Sequence, residues 1–190
     1  MENLYPRNNI IAIDLKSFFA SCECVERNLD AFTTPLVVCD PNRNGAITLA
    51  VTPYLKKFGV PGRCRVYELP KNIEIIKVPP RISLYIQKSK EVLSVYLEFV
   101  AKEDMHVYSI DEVFLDVTNY LKMYKMSTYE LAETIIKRIK EKTGLTTTAG
   151  IGPNLLLAKV AMDIEAKHVS TNIAEWTYDD VPTKLWPITP

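Results

Sequence analysis

The chain has 190 residues, 47% hydrophobic and 24% charged, the proportions of a globular protein with room for one domain or two small ones. No apolar run approaches the roughly 20 residues of a membrane span. The opening MENLYPRNN, followed by a run broken at Asp14 and Lys16, does not read as a signal peptide, so a cytoplasmic protein with no membrane partner is expected.

The 23 basic and 23 acidic residues cancel, so bulk charge names no polyanionic partner. Four cysteines without CxxC spacing, beside two histidines, argue against zinc and for free thiols. In chain order, IIAID (10–14) is too continuously apolar for a half-exposed strand and predicts a buried central strand ending in an acid. A helix is expected over 17–27, with Phe18, Cys22 and Val25 along one stripe. PLVVC (35–39) and AITLAV (46–51) read as strands around the turn-rich DPNRNG. The Gly- and Pro-broken TPYLKKFGVPGRCRVYELP predicts short helices and loops, and IEIIKV (73–78) a strand stopped by Pro79 and Pro80. Between Pro41 and Arg81, eight basic residues face only Glu68 and Glu74, an excess that either meets phosphates or forms a solvated face.

Ile82, Tyr85, Ile86, Val92, Leu93, Tyr96, Phe99 and Val100 recur at helical spacing over 81–101. MHVYSI and VFLDV read as two strands on either side of Asp111 and Glu112. Ser127 and Glu130 form a capping box, opening a helix that turns Leu131, Ile135 and Ile139 inward and closes at Gly144. LTTTAGIG (145–152) is a Thr-rich strand, Pro153 or Asn154 starts a last helix to about Lys167, and WTYDDVPTKLWPITP carries turn signals. This order predicts an α+β fold: a ferredoxin-like β-α-β-β-α-β sheet with an inserted small α/β lobe over 25–80.

The adjacent acids of YSIDEVFLDVT are the local anomaly. On a regular strand Asp111 and Glu112 would point to opposite faces; a tight turn between the two strands would instead send both to one end of the sheet. Asp-Glu is poor two-residue hairpin chemistry, which hints that function overrode folding there. The predicted sheet brings Asp14 to the same end. Three acids converging on an apolar sheet call for a cation, and an all-oxygen set favours Mg²⁺ or Mn²⁺. On the pair alone, a plainer reading stays open, with Asp111 capping a turn and Glu112 exposed.

Read together, IDLKSFFASCE, PLVVC, LKKFGVPG, YSIDEVFLDVT and TTAGIGPNLLLAKVA resemble, in order and spacing, the N-terminal half of Y-family translesion DNA polymerases. FFASCE and SIDEVFLDVT look closest to the UmuC (polymerase V catalytic subunit) branch. The resemblance implies a palm over 1–24 and 81–170, fingers over 25–80, and a run-in to a thumb over 171–190. It implies template-directed transfer of dNMP from a dNTP to a primer 3′-hydroxyl in SOS-type damage bypass, with two Mg²⁺ ions that Mn²⁺ can replace.

By the same resemblance Asp14, Asp111 and Glu112 are the catalytic metal ligands, joined by the Leu15 backbone carbonyl. Phe19, beside Phe18, falls at the steric gate that excludes a 2′-hydroxyl, and Lys159 matches a lysine that holds the triphosphate. The fingers depart from the family pattern. Where many members place a Tyr and an Arg to grip the triphosphate, this chain has Pro53 and Lys56, and Lys56 lacks the arginine fork. Tyr54 is the neighbouring substitute, and Ser17 and Thr48 are expected nearby.

The implied partners are primer–template DNA, dNTP, a sliding clamp reached through a part beyond this chain, and SOS accessory proteins. The implied location is cytoplasmic, on the nucleoid when DNA is bound. This chain resembles a palm-and-fingers piece expected to be inactive alone. The alternative is an inert palm homologue serving as a scaffold in a damage-response complex, against which the three retained acids argue.

Overall fold

Apolar runs and amphipathic segments become, in chain order, β1 (Ile10–Leu15), α1 (Phe18–Val25), β2 (Leu36–Val38), β3 (Ala50–Val51), α2 (Pro53–Lys57), β4 (Ile76–Val78), α3 (Ile82–Tyr96), β5 (Met105–Val107), β6 (Glu112–Asp116), α4 (Leu121–Tyr124), α5 (Thr128–Thr143), β7 (Thr147–Gly152), α6 (Leu155–Val160) and β8 (Ile173–Glu175). This computed structural model describes residues 5–188. Among the described residues two compact units form: those up to 15, 92–142 and those from 146 on in one, residues 16–91 and 143–145 in the other. Among the described residues no helix is long and apolar enough to cross a membrane.

The first unit is built on a five-stranded sheet in the order β5-β6-β1-β7-β8. β1 runs antiparallel to both β6 and β7, and β5 runs antiparallel to β6. The β-α-β-β-α-β order is therefore met by β1, β5, β6 and β7, while β8 adds a fifth strand, parallel to β7. β8 lies just before the turn-rich tail, where the sequence reading assigns no element; it is three residues long and exists by its pairing.

β1 is buried along nearly its whole length, as its unbroken apolar run requires. α5 opens on the expected box, with Glu130 N donating to Ser127 Oγ at 3.2 Å and Ser127 N to the Glu130 carboxylate at 2.7 Å. Leu131, Ile135 and Ile139 are fully buried. The helix stops at Gly144, whose φ of +73° is left-handed backbone that favours glycine.

The hairpin between β5 and β6 corrects one expectation. The ladder continues past Val107↔Val113, with Tyr108 N and Ser109 N both donating to the Glu112 carbonyl at 3.0 and 3.1 Å. The turn therefore centres on Ile110, and Asp-Glu is not a two-residue hairpin. Asp111 closes the turn, and Glu112 is the first residue of β6.

The second unit holds α1, a small sheet in the order β3-β2-β4, and α2. Val37, Cys39, Val51, Leu55, Val60, Cys64, Val66 and Leu69 make its core. All four cysteines are free and buried.

Candidate active site

Side chains alternate along a strand, so Ile10, Ala12 and Asp14 share one face of β1. The β1–β6 register pairs Ile10 with Asp116, Ala12 with Phe114 and Asp14 with Glu112. Antiparallel partners point the same way, which puts Glu112, Phe114 and Asp116 on that face too. Glu112 therefore reaches Asp14 as a strand residue, by ladder register and not by a turn.

Helix α6 and the wider turn that continues it cover this face, with Ala158 and Met162 packed against Ile10, Ala12 and Phe114. Its close approach depends on the glycines of AGIG. A Cβ at Gly150 would lie 2.0 Å from the Ala158 carbonyl oxygen, and one at Gly152 would lie 2.5 Å from Ala158 N. Asn154 caps α6, its side-chain oxygen accepting from Leu157 N at 2.9 Å. The helix thus rests on the β7 backbone and carries its polar residues to the carboxylates.

Those residues form an alternating chain of charge. Glu112 Oε1 lies 2.5 Å from Lys159 Nζ, which is 3.3 Å from Asp163 Oδ2. Asp163 Oδ1 lies 2.7 Å from Lys167 Nζ, which is 3.1 Å from Asp14 Oδ2. The Lys159 ammonium also sits 5.3 Å over the Tyr108 ring. Asp111 stands at the turn: its Oδ1 accepts from Ser109 Oγ at 2.7 Å, and its carbonyl accepts from Leu15 N at 3.0 Å. That backbone bond fastens the turn to the end of β1.

The electrostatics follow from this layout. Burial pushes the Asp14 carboxyl above its ordinary value; Lys167 opposes the shift, and the charges of Asp111 and Glu112 add to it. Burial acts in the opposite sense on Lys159 and Lys167, yet their carboxylate partners outweigh it and hold both ammoniums more firmly protonated than usual. Asp163 is held low, because its two lysines outweigh the cost of burial.

The donor set is all oxygen, the type that suits a hard divalent cation. Four carboxylates against two lysines leave a formal charge of −2, again suited to a divalent ion. Their placement is that of an ion-paired site: among the described residues no three His, Cys, Asp or Glu side chains are arranged to hold a metal. The residues fit such an ion in chemistry and in register, with lysines now on two of the three acids.

The remaining candidates belong to the second unit. Phe18 is buried. Phe19, half-buried, stacks on Tyr85 with ring centroids 4.4 Å apart and planes 15° apart. Tyr85 donates its hydroxyl to Glu23 Oε1 at 2.7 Å, and Glu23, fully buried, also accepts from Arg81 at 2.6 and 3.0 Å and from Arg27. Ser17 precedes α1 in left-handed backbone, φ 49°. Pro53 opens α2; Tyr54 lies with its ring 4.9 Å from Phe58, and Lys56 is exposed. Thr48 is fully buried, its oxygen accepting from Cys64 N at 3.0 Å, so its hydroxyl serves the core. Sequence reasoning missed Asp163, Lys167 and Glu23; the 159/163/167 spacing of four was the available signal for the first two.

Residues 13–163 match the model of the impB/mucB/samB family. The chain belongs to that family. It is the N-terminal part of a Y-family DNA polymerase fold. A UvrX protein of Bacillus subtilis (strain 168), named for UV-damage repair, is 40% identical over 98% of this chain and 44% of its own length. DNA polymerase IV 2 of the same strain is 34% identical over 94% of the chain and 43% of its own length. The insertion ternary complex of Dbh DNA polymerase superposes with a TM-score of 0.76 at 27% identity, over 91% of this chain and 50% of that one. The chain thus spans less than half the length of these curated relatives.

Proposed function

We propose that this chain is the palm-and-fingers part of a translesion DNA polymerase and that Asp14, Asp111 and Glu112 are its catalytic carboxylates. The observation that carries the reading is the cross-strand pairing of Asp14 with Glu112, with Asp111 fastened beside them through Leu15 N. Two opposed acids on a face otherwise packed by Ala12, Phe114 and Met162 destabilise the fold, and a divalent cation gives them a purpose. The relatives named as DNA polymerases support the reaction class.

The reaction is attack of a primer 3′-hydroxyl on the α-phosphate of a dNTP, with pyrophosphate leaving, on a primer–template bound for damage bypass. Two Mg²⁺ ions, replaceable by Mn²⁺, would be held by Asp14, Asp111, Glu112 and the Leu15 carbonyl and would supply hydroxyl activation and charge neutralisation. The chain's own groups do the rest. Lys159, held protonated, offers a fixed positive charge to the triphosphate. Lys56 and Tyr54 offer charge and a hydroxyl from the fingers, and Phe19 presents a ring to the sugar, with Phe18 packed beneath it in the core.

The test is Mn²⁺ binding by this chain, read by electron paramagnetic resonance, together with primer extension by the protein that carries this segment. Asp14→Asn, Asp111→Asn and Glu112→Gln are each expected to weaken Mn²⁺ binding and abolish extension. Undiminished extension by any of them overturns the assignment of that residue. The ion pairs on Asp14 and Glu112 also suit an inert scaffold; a wild-type protein that binds DNA without extending a primer would establish that reading instead.

A further inference from the structure

Lys159, Asp163 and Lys167 follow one another at intervals of four. On a regular α-helix such a row drifts by about 40° per step, which would carry Lys167 away from the side that Lys159 presents. Between Ala161 and Ala166 the helix instead widens into a π turn, with Lys167 N donating to Met162 O five residues back at 3.3 Å. A wider turn rotates less per residue and swings the row back. Both lysines then reach Asp163 from opposite sides, and both reach the sheet, Lys159 at Glu112 and Lys167 at Asp14. Such single widened turns recur at functional positions.

We propose that Lys167 is a built-in counter-ion for Asp14, whose ammonium stands where a divalent cation binds and is displaced when the cation arrives. The inference rests on the reading of Asp14 as a metal ligand. Asp14 is half-buried beside two other acids, so without a cation its charge needs a partner from the chain itself. Lys167 is suited to leave. Its ammonium already holds Asp163 at 2.7 Å, a closer contact than the 3.1 Å to Asp14, so release from Asp14 does not strand it. Lys159 has the same double attachment to Glu112 and Asp163, but its closer partner is the sheet carboxylate. Cation affinity at Asp14 is therefore a competition, and the side chain of Lys167 sets its strength.

The experiment titrates the full chain with Mn²⁺, without nucleotide or DNA, following free Mn²⁺ by electron paramagnetic resonance. Lys167→Met is expected to bind Mn²⁺ roughly three- to ten-fold more tightly than wild type, the effect of removing one partly buried ion pair. Lys167→Arg, which keeps the charge, should stay close to wild type. Lys184→Met removes a lysine paired with Glu165 and Asp180 and should also leave the affinity unchanged. Circular dichroism checks folding, and Lys167→Gln replaces the Met variant if that one melts.

Equal or weaker affinity in the folded neutral Lys167 variant overturns the inference and leaves the metal reading standing. An equal gain in Lys184→Met reduces the effect to net charge and overturns it as well. Absence of Mn²⁺ binding in wild type and in every Lys167 variant overturns the metal reading itself, and the counter-ion role with it.

Discussion

Asp14 and Glu112 stand directly opposite each other across the β1–β6 ladder, two carboxylates on the face that α6 covers. Like charges at opposed strand positions repel, and burial adds to the cost at Asp14. The lysines of α6 and the π turn offset part of that cost. What is held in place is a stabilised arrangement of groups that do not favour folding on their own.

It follows that Asp14→Asn stabilises the protein in a chelator-treated buffer. The Asp14 pKa is raised in the fold, so the fold favours its protonated form. The sign is then set: wild-type stability declines as pH rises from the ordinary carboxylate value through the raised one. The variant should lack that decline and gain about 1 kcal/mol at pH 7. Thermal melts from pH 4 to pH 8 check this, and a lower melting temperature for the variant throughout that window would contradict it.

Glu23 shows the opposite sense. Burial raises its pKa, but the hydrogen bonds from Arg81, Tyr85 and Arg27 outweigh burial and hold the carboxyl below its ordinary value. Its stabilisation is present above the unfolded value and is lost as pH falls through the folded one. Glu23→Gln should therefore cost about 1.5 kcal/mol at neutral pH, toward the low end because Arg27 and Arg81 stay partly exposed. Its acid-unfolding limb should be shallower than wild type. Urea melts at pH 7 and pH 4 measure both effects, and an equal cost at the two pH values would remove Glu23 as the source.

What was legible in the sequence was local chemistry. The IIAID run, the Ser127–Glu130 box and the Gly144 stop each carry their own hydrogen-bonding or burial logic, and each appears in the fold where expected. Pairing was less legible. Asp111 and Glu112 read as the turn between MHVYSI and VFLDV, yet the chain turns earlier, around Ile110, and the ladder takes Glu112 into β6. Ile173–Glu175 becomes a strand only because β7 offers it an edge. Lys167 was hidden for a related reason. Its reach depends on a π turn, a choice of hydrogen-bond register that residue spacing does not announce.

Phe19→Ala is expected to raise ribonucleotide incorporation relative to deoxyribonucleotide at least ten-fold in primer extension by the protein that carries this segment, since about 1.4 kcal/mol of lost discrimination is a factor of ten. Phe19 is half-buried and stacked on Tyr85, so the ring is held in one orientation. The stack also means that the variant loses about 1 kcal/mol of stability, and its folding is confirmed before the assay. An unchanged ratio in a folded variant removes Phe19 as the gate.

Gly150→Ala tests whether the lysines owe their positions to the close approach of α6. The added Cβ would lie 2.0 Å from the Ala158 carbonyl, 2.3 Å from Met162 N and 2.6 Å from the Met162 Cβ. The first two are backbone atoms, so no side-chain rotation relieves the overlap and the helix itself must move. Overpacking of this kind costs about 1–3 kcal/mol. Because Lys159 and Lys167 ride on the displaced segment, their pairs with Glu112 and Asp14 should loosen together. The expected outcome is a lower melting temperature with altered Mn²⁺ affinity, while Gly45→Ala, where nothing lies within 4 Å of the added Cβ, changes neither. A Gly150→Ala protein with wild-type stability would show that α6 is not anchored through the β7 backbone, and the account of how the ion chain is placed would fall with it.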